Sequence, residues 1–344
     1  MNPGHIMRTI VLNEPGDLRQ ADTDQPGPPG AGMALVRIRR VGVCGTDFHA
    51  WRGRQPFFTY PRVLGHELGG EVAAVGPDVR TVSVGDRCAI EPYLNCGECQ
   101  ACTRGRGNCC ERMQVLGVHV DGGMREWLHV PTRKLHASVV LDLDTLALVE
   151  TLSIGAHAVR RAACGPGAAV LVVGAGPIGL SVAAFASAAG ADVAVMDVNE
   201  ARLALCRTHL GITRTLQPAG LDTPANVRDA LGALPLIVFD ATGNRESMEA
   251  SFALPTHGGT LVFVGLVQAD VTFRDPDFHR RELTLLASRN ALPADFGNVL
   301  ATLESGRLDV RQWITHRAAL DDVPEHFTQW VSPESGVVKA MIEV

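Results

Sequence analysis

Val170-Leu-Val-Val-Gly174-Ala-Gly176-Pro177-Ile178-Gly179-Leu180 is the stretch on which the fold of half this chain turns. Apolar residues suited to a buried strand run straight into G-x-G-x-x-G, and a stretch able to form a buried helix follows. In that context the glycines permit a tight turn and let backbone N–H groups approach a pyrophosphate at a helix N-terminus. A plain glycine turn between buried elements would look the same, so a second signal is needed. It comes about 20 residues on, where the next apolar run, Val193–Met196, ends at Asp197. A carboxylate there would bond the adenosine ribose hydroxyls and repel a 2′-phosphate, which predicts NAD over NADP. Arg202 is expected to lie over the adenine or to pair with acids.

From about Gly165 the chain alternates strands and helical stretches. Val170–Val173, Val193–Met196, Ile237–Asp240 and Leu261–Val264 read as buried parallel strands of a doubly wound α/β sheet. The first half is different. Short β-type runs at 34–39, 70–75 and 87–91 are bounded by turn pairs such as Pro77-Asp78 and Gly85-Asp86, which predicts an antiparallel, barrel-like domain. After residue 291 come a helical stretch, Asp295–Ser305, and a last strand, Val337–Glu343. No internal repeat or low-complexity segment is present.

A length of 344 residues suits two domains, and 46 % hydrophobic with 20 % charged residues suits ample globular core. The net charge of -6, with no Lys/Arg run, offers no basic surface for nucleic acid. Ala162–Ala191 carries no charge, but Pro166, Pro177 and its glycines break it into pieces too short to span a membrane. No signal peptide is visible, so a soluble, cytoplasmic protein is expected.

Cys96-Gly-Glu-Cys99-Gln-Ala-Cys102-Thr-Arg-Gly-Arg-Gly-Asn-Cys109-Cys110 brings four thiolates within reach of one tetrahedral Zn²⁺. Cys96, Cys99 and Cys102 are ligands, and the fourth is Cys109 or Cys110. Disulfides are the rival reading, and the lack of a signal peptide disfavours them. A closed four-sulfur site leaves no position for chemistry, so it is structural. Cys88, Cys164 and Cys206 read as small buried hydrophobes.

The reactive site must lie elsewhere. Gly42-Val-Cys44-Gly-Thr46-Asp47-Phe48-His49 and Gly65-His66-Glu67-Leu-Gly-Gly70 supply a thiolate and an imidazole for a second Zn²⁺. The third ligand is Glu67 or, further along, Glu150, with water or substrate in the open position. Arg289 and Asn290 follow the strand Leu283–Ala287, and Arg289 could grip a carboxylate through two parallel hydrogen bonds.

G-H-E-x-x-G-x5-G-x2-V from Gly65 to Val79, the cysteine lobe and the Rossmann half together resemble the zinc-dependent medium-chain alcohol/polyol dehydrogenases over essentially the whole chain. The resemblance implies a GroES-like β-rich catalytic domain made from both chain ends, 1–155 and 291–344, with the structural zinc lobe at 93–112. Between them it implies a Rossmann NAD-binding domain at 156–290. It selects Cys110 over Cys109. Several segments look closer still to a branch of bacterial sugar-acid dehydrogenases of the L-galactonate 5-dehydrogenase type: Cys44-Gly-Thr-Asp-Phe-His-Ala-Trp, Gln55-Pro-Phe-Phe-Thr-Tyr-Pro-Arg, Gly117-Val-His-Val-Asp-Gly-Gly, Ala156-His-Ala-Val-Arg-Arg and Ser288-Arg-Asn-Ala. Thr151 departs from the family, which commonly has proline after the glutamate.

What the resemblance implies is hydride transfer from a secondary hydroxyl of a sugar acid (an L-galactonate- or L-gulonate-like hexonate) or polyol to NAD, with zinc acidifying the hydroxyl. Glu67 and Glu150 would serve the catalytic zinc, Thr46 would take the proton and His49 would release it to solvent, while Asp47 held His66 in one tautomer. Thr242, Gly243, Val264, Gly265, Leu266, Ser288 and Arg289 would join the glycine loop in holding cofactor. Phe48, Trp51, Phe58 and His119 would face substrate with Arg289 and Asn290, and Phe57 and Arg125 are further pocket candidates. The alternatives are an L-threonine 3-dehydrogenase-like enzyme and a catalytically silent NAD- and zinc-binding relative. Val262-Phe-Val-Gly and the strand after it could pair across a two-fold axis, giving a homodimer or homotetramer.

Overall fold

Met33–Val43 carries apolar residues on both faces because both are covered: it is the spine of a seven-stranded sheet in the computed structural model, which describes residues 6–344 apart from the side chains of residues 221 and 333. One edge of this strand pairs antiparallel with Glu67–Val75 along nearly its whole length. The other edge takes Trp127–Pro131 at its start and Lys339–Glu343 at its end. The chain's last strand thus pairs into the sheet whose spine is residues 33–43. Arg87–Ile90 and Leu135–Ala137 extend the sheet beyond Glu67–Val75, and Ile314–Ala319 lies parallel to Lys339–Glu343. Ile38, Val41, Leu68, Ile90, Met124 and Phe327 are buried in its core.

The chain divides into two compact units, Met1–Glu150 with Leu292–Val344, and Thr151–Ala291. The first boundary falls inside the helix Leu143–Arg161. Within the first unit Tyr93–Leu94 pairs with Gln114–Val115, and this short ladder is the stem of the cysteine loop. Pro293–Glu304 is the helix expected from Asp295; it starts earlier because Pro293 suits its first turn and Asp295 accepts the N–H of Leu292 at 2.8 Å.

The second unit is a six-stranded, wholly parallel sheet. Its order is Thr215–Leu216, Asp192–Met196, Ala169–Val173, Ile237–Asp240, Thr260–Phe263 and Thr284–Ala287. The strand order reverses between Ala169–Val173 and Ile237–Asp240, which opens a crevice at their carboxyl ends where ligands of such sheets bind. Cys88 and Cys206 are buried as expected, whereas Cys164 is only half-buried because it sits in the turn after the helix Leu143–Arg161. Among the described residues no helix is long and apolar enough to cross a membrane.

Candidate active site

Cys44 caps the helix Gly45–Trp51, which starts where the strand Met33–Val43 ends. Asp47 is fully buried, accepting the N–H of Cys44 at 2.9 Å and that of Gly65 at 3.4 Å. One carboxylate therefore ties together the two segments that carry Cys44 and His66. Glu67 opens the strand Glu67–Val75 directly opposite Gly42. A Cβ at Gly42 would stand 2.2 Å from Glu67 Oε2, so only glycine leaves room for that carboxylate.

The ligand atoms of Cys44, His66 and Glu67 all lie within 4.8 Å of one another. A thiolate, an imidazole and a carboxylate suit three corners of a zinc site with the fourth left open. Glu150 stands outside this set: it is 5 % exposed, and its Oε1 accepts the hydroxyl of Tyr93. Burial, opposed by His66 and reinforced by Glu67, holds its pKa above the ordinary carboxylate value. Asp47 faces His66 as an ion-pair partner rather than through a hydrogen bond. Asp47 Oδ1 is 3.7 Å from His66 Nδ1, beyond hydrogen-bond reach, because its oxygens serve backbone N–H groups instead.

Two contributors were not foreseen from the sequence. Lys339, 1 % exposed, donates to both oxygens of Glu67 at 2.6 and 2.7 Å and to the carbonyl of Val43 at 3.2 Å. Burial lowers its pKa, but Glu67 and Cys44 outweigh that and keep it an ammonium. The visible signal was a lone lysine in the otherwise apolar run Val338–Ile342. Tyr93, the second, lies just ahead of the cysteine loop.

Thr46 and His49 are three residues apart on the helix Gly45–Trp51 and share a face. Partial burial, then Arg52 and Arg54, lowers the pKa of His49, which favours its neutral form. Phe48, Trp51 and Phe58 pack against the sheet core, Phe48 edge-on to Phe327 at 5.3 Å. Exposed Phe57 stacks on His119 at 6.1 Å, and His119 Nδ1 accepts the N–H of Val115. Arg125 folds back to donate Nε to the carbonyl of Gly122 at 3.0 Å.

In the cysteine lobe, Cys96, Cys99, Cys102 and Cys110 converge, with sulfurs 3.4 Å (Cys96 to Cys110), 3.9 Å (Cys99 to Cys110) and 4.0 Å (Cys96 to Cys102) apart. Cys109 is exposed and outside the set. Backbone N–H groups of Cys96 and Arg112 point at Cys110 Sγ, and Asn95 Nδ2 points at Cys102 Sγ. The Arg112 guanidinium, with the N–H groups of Glu98 and Cys99, brings the Cys96 thiol down to about 5. These donors suit a cluster of thiolates around a cation.

The glycines of the second unit divide their work. Gly174 takes φ 94° at the turn; a Cβ on Gly179 would lie 1.7 Å from the carbonyl of Gly174; at Gly176 a Cβ would meet only Arg202 Nη1, at 3.8 Å. Gly176 caps the helix Pro177–Ala188, so free N–H groups face open space, a cradle that fits a pyrophosphate. Asp197 Oδ2 accepts the N–H of Ala175 at 2.6 Å and Oδ1 that of Asn199 at 2.7 Å, and each oxygen keeps a lone pair for a ribose hydroxyl. Arg202 stands beside this cradle. Asp240 anchors the next loop by accepting from Thr242 N and Oγ1, Ser247 and Ser251. Gly243 and Gly265 pack back to back, Val264 is half-buried and Leu266 is 70 % exposed. Ser288 buries a hydroxyl without a hydrogen-bond partner among the described residues, Arg289 is exposed, and Asn290 takes a left-handed φ of 51°.

Comparison with known proteins agrees with this geometry. Residues 30–140 match the alcohol dehydrogenase GroES-like domain, and residues 177–305 match the zinc-binding dehydrogenase domain. The chain is 43 % identical to L-galactonate-5-dehydrogenase of Escherichia coli (strain K12), over 98 % of each protein. It is 34 % identical to D-altritol 5-dehydrogenase of Agrobacterium fabrum, over 88 % of this chain and 89 % of that one. A short chain alcohol dehydrogenase (rspB) of Escherichia coli CFT073, crystallised with NADH, superimposes with a TM-score of 0.91 at 27 % identity, covering 99 % of this chain and 100 % of that one. On these matches the chain belongs to the zinc-type medium-chain alcohol dehydrogenases, a family of oxidoreductases.

Proposed function

We propose that this enzyme oxidises a secondary hydroxyl of a hexonate, L-galactonate or a stereochemical neighbour, with NAD⁺ as hydride acceptor. The observation that carries the substrate class is the 43 % identity, end to end, with an L-galactonate dehydrogenase. Zinc at Cys44, His66 and Glu67 would supply Lewis acidity that makes a hydroxyl proton easier to lose. The protein's own part is then positional. Lys339 holds Glu67 in place, Gly42 leaves the space for it, and Thr46 and His49 offer a proton route along one helix face. Arg289 supports the choice of an acid, since a guanidinium grips a carboxylate and gains little from a neutral alditol.

Asp197 supports NAD over NADP, because a carboxylate beside a 2′-phosphate is repulsive. Two thiol-bearing clusters support two zinc ions per chain, one structural and one catalytic. Among the described residues Thr284–Ala287 ends the parallel sheet with a single strand partner, and that open edge supports pairing with a second copy in a homodimer or homotetramer. Nine cysteines, none in a disulfide among the described residues, support a reducing, cytoplasmic setting.

The test is NADH formation across a panel of aldonates, alditols and L-threonine. Fastest turnover with a hexonate is expected. Faster turnover of a neutral alditol or of L-threonine would overturn the sugar-acid reading and leave the dehydrogenase reading standing. No turnover of any member would favour the catalytically silent alternative.

A further inference from the structure

Tyr93 belongs to the strand pair from which the cysteine lobe hangs, yet its hydroxyl donates to Glu150, a carboxylate of the catalytic pocket. It is 3 % exposed and firmly held. Phe296 meets its ring edge-on at 6.3 Å and stacks on His136 at 4.7 Å. His136 Nε2 bonds Glu91 Oε2 at 3.2 Å, and the other oxygen of Glu91 pairs with buried Lys134. Glu91 N–H also donates to the carbonyl of Lys134 at 2.8 Å. The phenol is thus fixed by ring packing and by a buried ion pair, neither of which the reaction uses.

Glu150, by contrast, has two possible partners. It feels the charges of His66 and Glu67, yet lies outside the set of atoms that converge with Cys44. An unrestrained carboxylate beside a zinc with an open position would compete for that position, because zinc accepts Asp and Glu oxygens readily. Glu67 has Lys339 to hold it; Glu150 has Tyr93.

We propose that Tyr93 is a positioning residue that restrains Glu150 outside the coordination sphere and so keeps the fourth metal position open for substrate. This rests on the reading of Cys44, His66 and Glu67 as catalytic ligands. In Tyr93→Phe the released carboxylate becomes an internal competitor. Only the fraction of enzyme with the position open binds substrate, so KM rises by the inverse of that fraction while kcat is kept. A tenfold to hundredfold rise, roughly what the loss of a ligand-orienting partner costs, is expected.

The experiment is visible spectroscopy and steady-state kinetics on the full-length enzyme with cobalt in the catalytic site. Tyr93→Phe should change the cobalt absorption bands and raise KM, and adding Glu150→Gln to it should restore the original bands, because an amide is a poor ligand. Glu150→Gln alone, which leaves Tyr93 in place, should keep the unmodified spectrum. A Tyr93→Phe enzyme with unchanged bands, or one that loses kcat and thermal stability at constant KM, would show a merely structural tyrosine. A changed spectrum in Glu150→Gln alone would show that Glu150 is already a ligand, and would overturn the proposal. Cobalt bands that survive Cys44→Ser would instead refute the metal reading beneath it.

Discussion

Lys339 shows how one side chain can be invisible in sequence and central in structure. It lies 272 residues from Glu67, and only the insertion of the last strand beside Met33–Val43 brings the two together. Cys44, His66 and Glu67 were legible because their residue types and local motifs announce metal chemistry. A lysine announces none. Breaking a buried ion pair from one side leaves an uncompensated charge and costs about 3–5 kcal/mol. Lys339→Met should therefore lower the melting temperature by about 6–20 °C in calorimetry of the metal-depleted protein, at roughly 2–4 °C per kcal/mol for a unit of this size; an unchanged melting temperature would mean that Glu67 is satisfied without it. His49 gives a prediction in pH. Burial, Arg52 and Arg54 all disfavour its charged form, so its pKa lies below the usual 6.5. The acid limb of kcat should accordingly fall below pH 6.5, and Arg54→Gln, which removes a cation, should move that limb to higher pH. A limb that stays put would exclude His49 as the proton acceptor. For Asp197, replacement by serine should narrow the preference for NAD⁺ over NADP⁺ in kcat/KM, and equal rates with both in the unmodified enzyme would contradict the role assigned to it.

Elements were legible where a pattern had one physical cause. The parallel strands announced themselves as apolar runs because both faces are covered, and Gly174, Gly176 and Gly179 each meet a different steric demand. Asp17–Asp24 was not legible: its residues are almost all polar, only Leu18 is buried, and it is a strand because the turn at Gly16 folds it onto Ile6–Glu14. Which strands pair was also beyond local reading, since Trp127–Pro131 and Lys339–Glu343 share one edge of Met33–Val43 from opposite ends of the chain. The cysteine lobe has little packing of its own, with one short helix, Gln100–Thr103, that buries none of its residues. A bound metal is expected to supply its order, because thiolate binding energy is folding energy in such lobes. Cys102→Ser should therefore increase amide exchange throughout 95–113 while leaving the strands of Thr151–Ala291 protected. Uniform protection in the lobe would show that packing alone maintains it.

In the whole molecule, one closed and one open candidate metal site lie in a single unit of the chain. Four sulfurs enclose the first; three unlike ligands, with a lysine and a tyrosine steering the carboxylates around them, leave the second accessible. The two sites should differ in lability for that reason. The most direct measurement is zinc per chain and the rate of NAD⁺ reduction followed together as a chelator is added to freshly purified enzyme. Two zinc ions at the start, a fall to one in step with the complete loss of activity, and recovery of both on adding zinc back are expected. One zinc or none in the fully active enzyme, or activity that outlasts the loss of the first ion, would contradict that expectation.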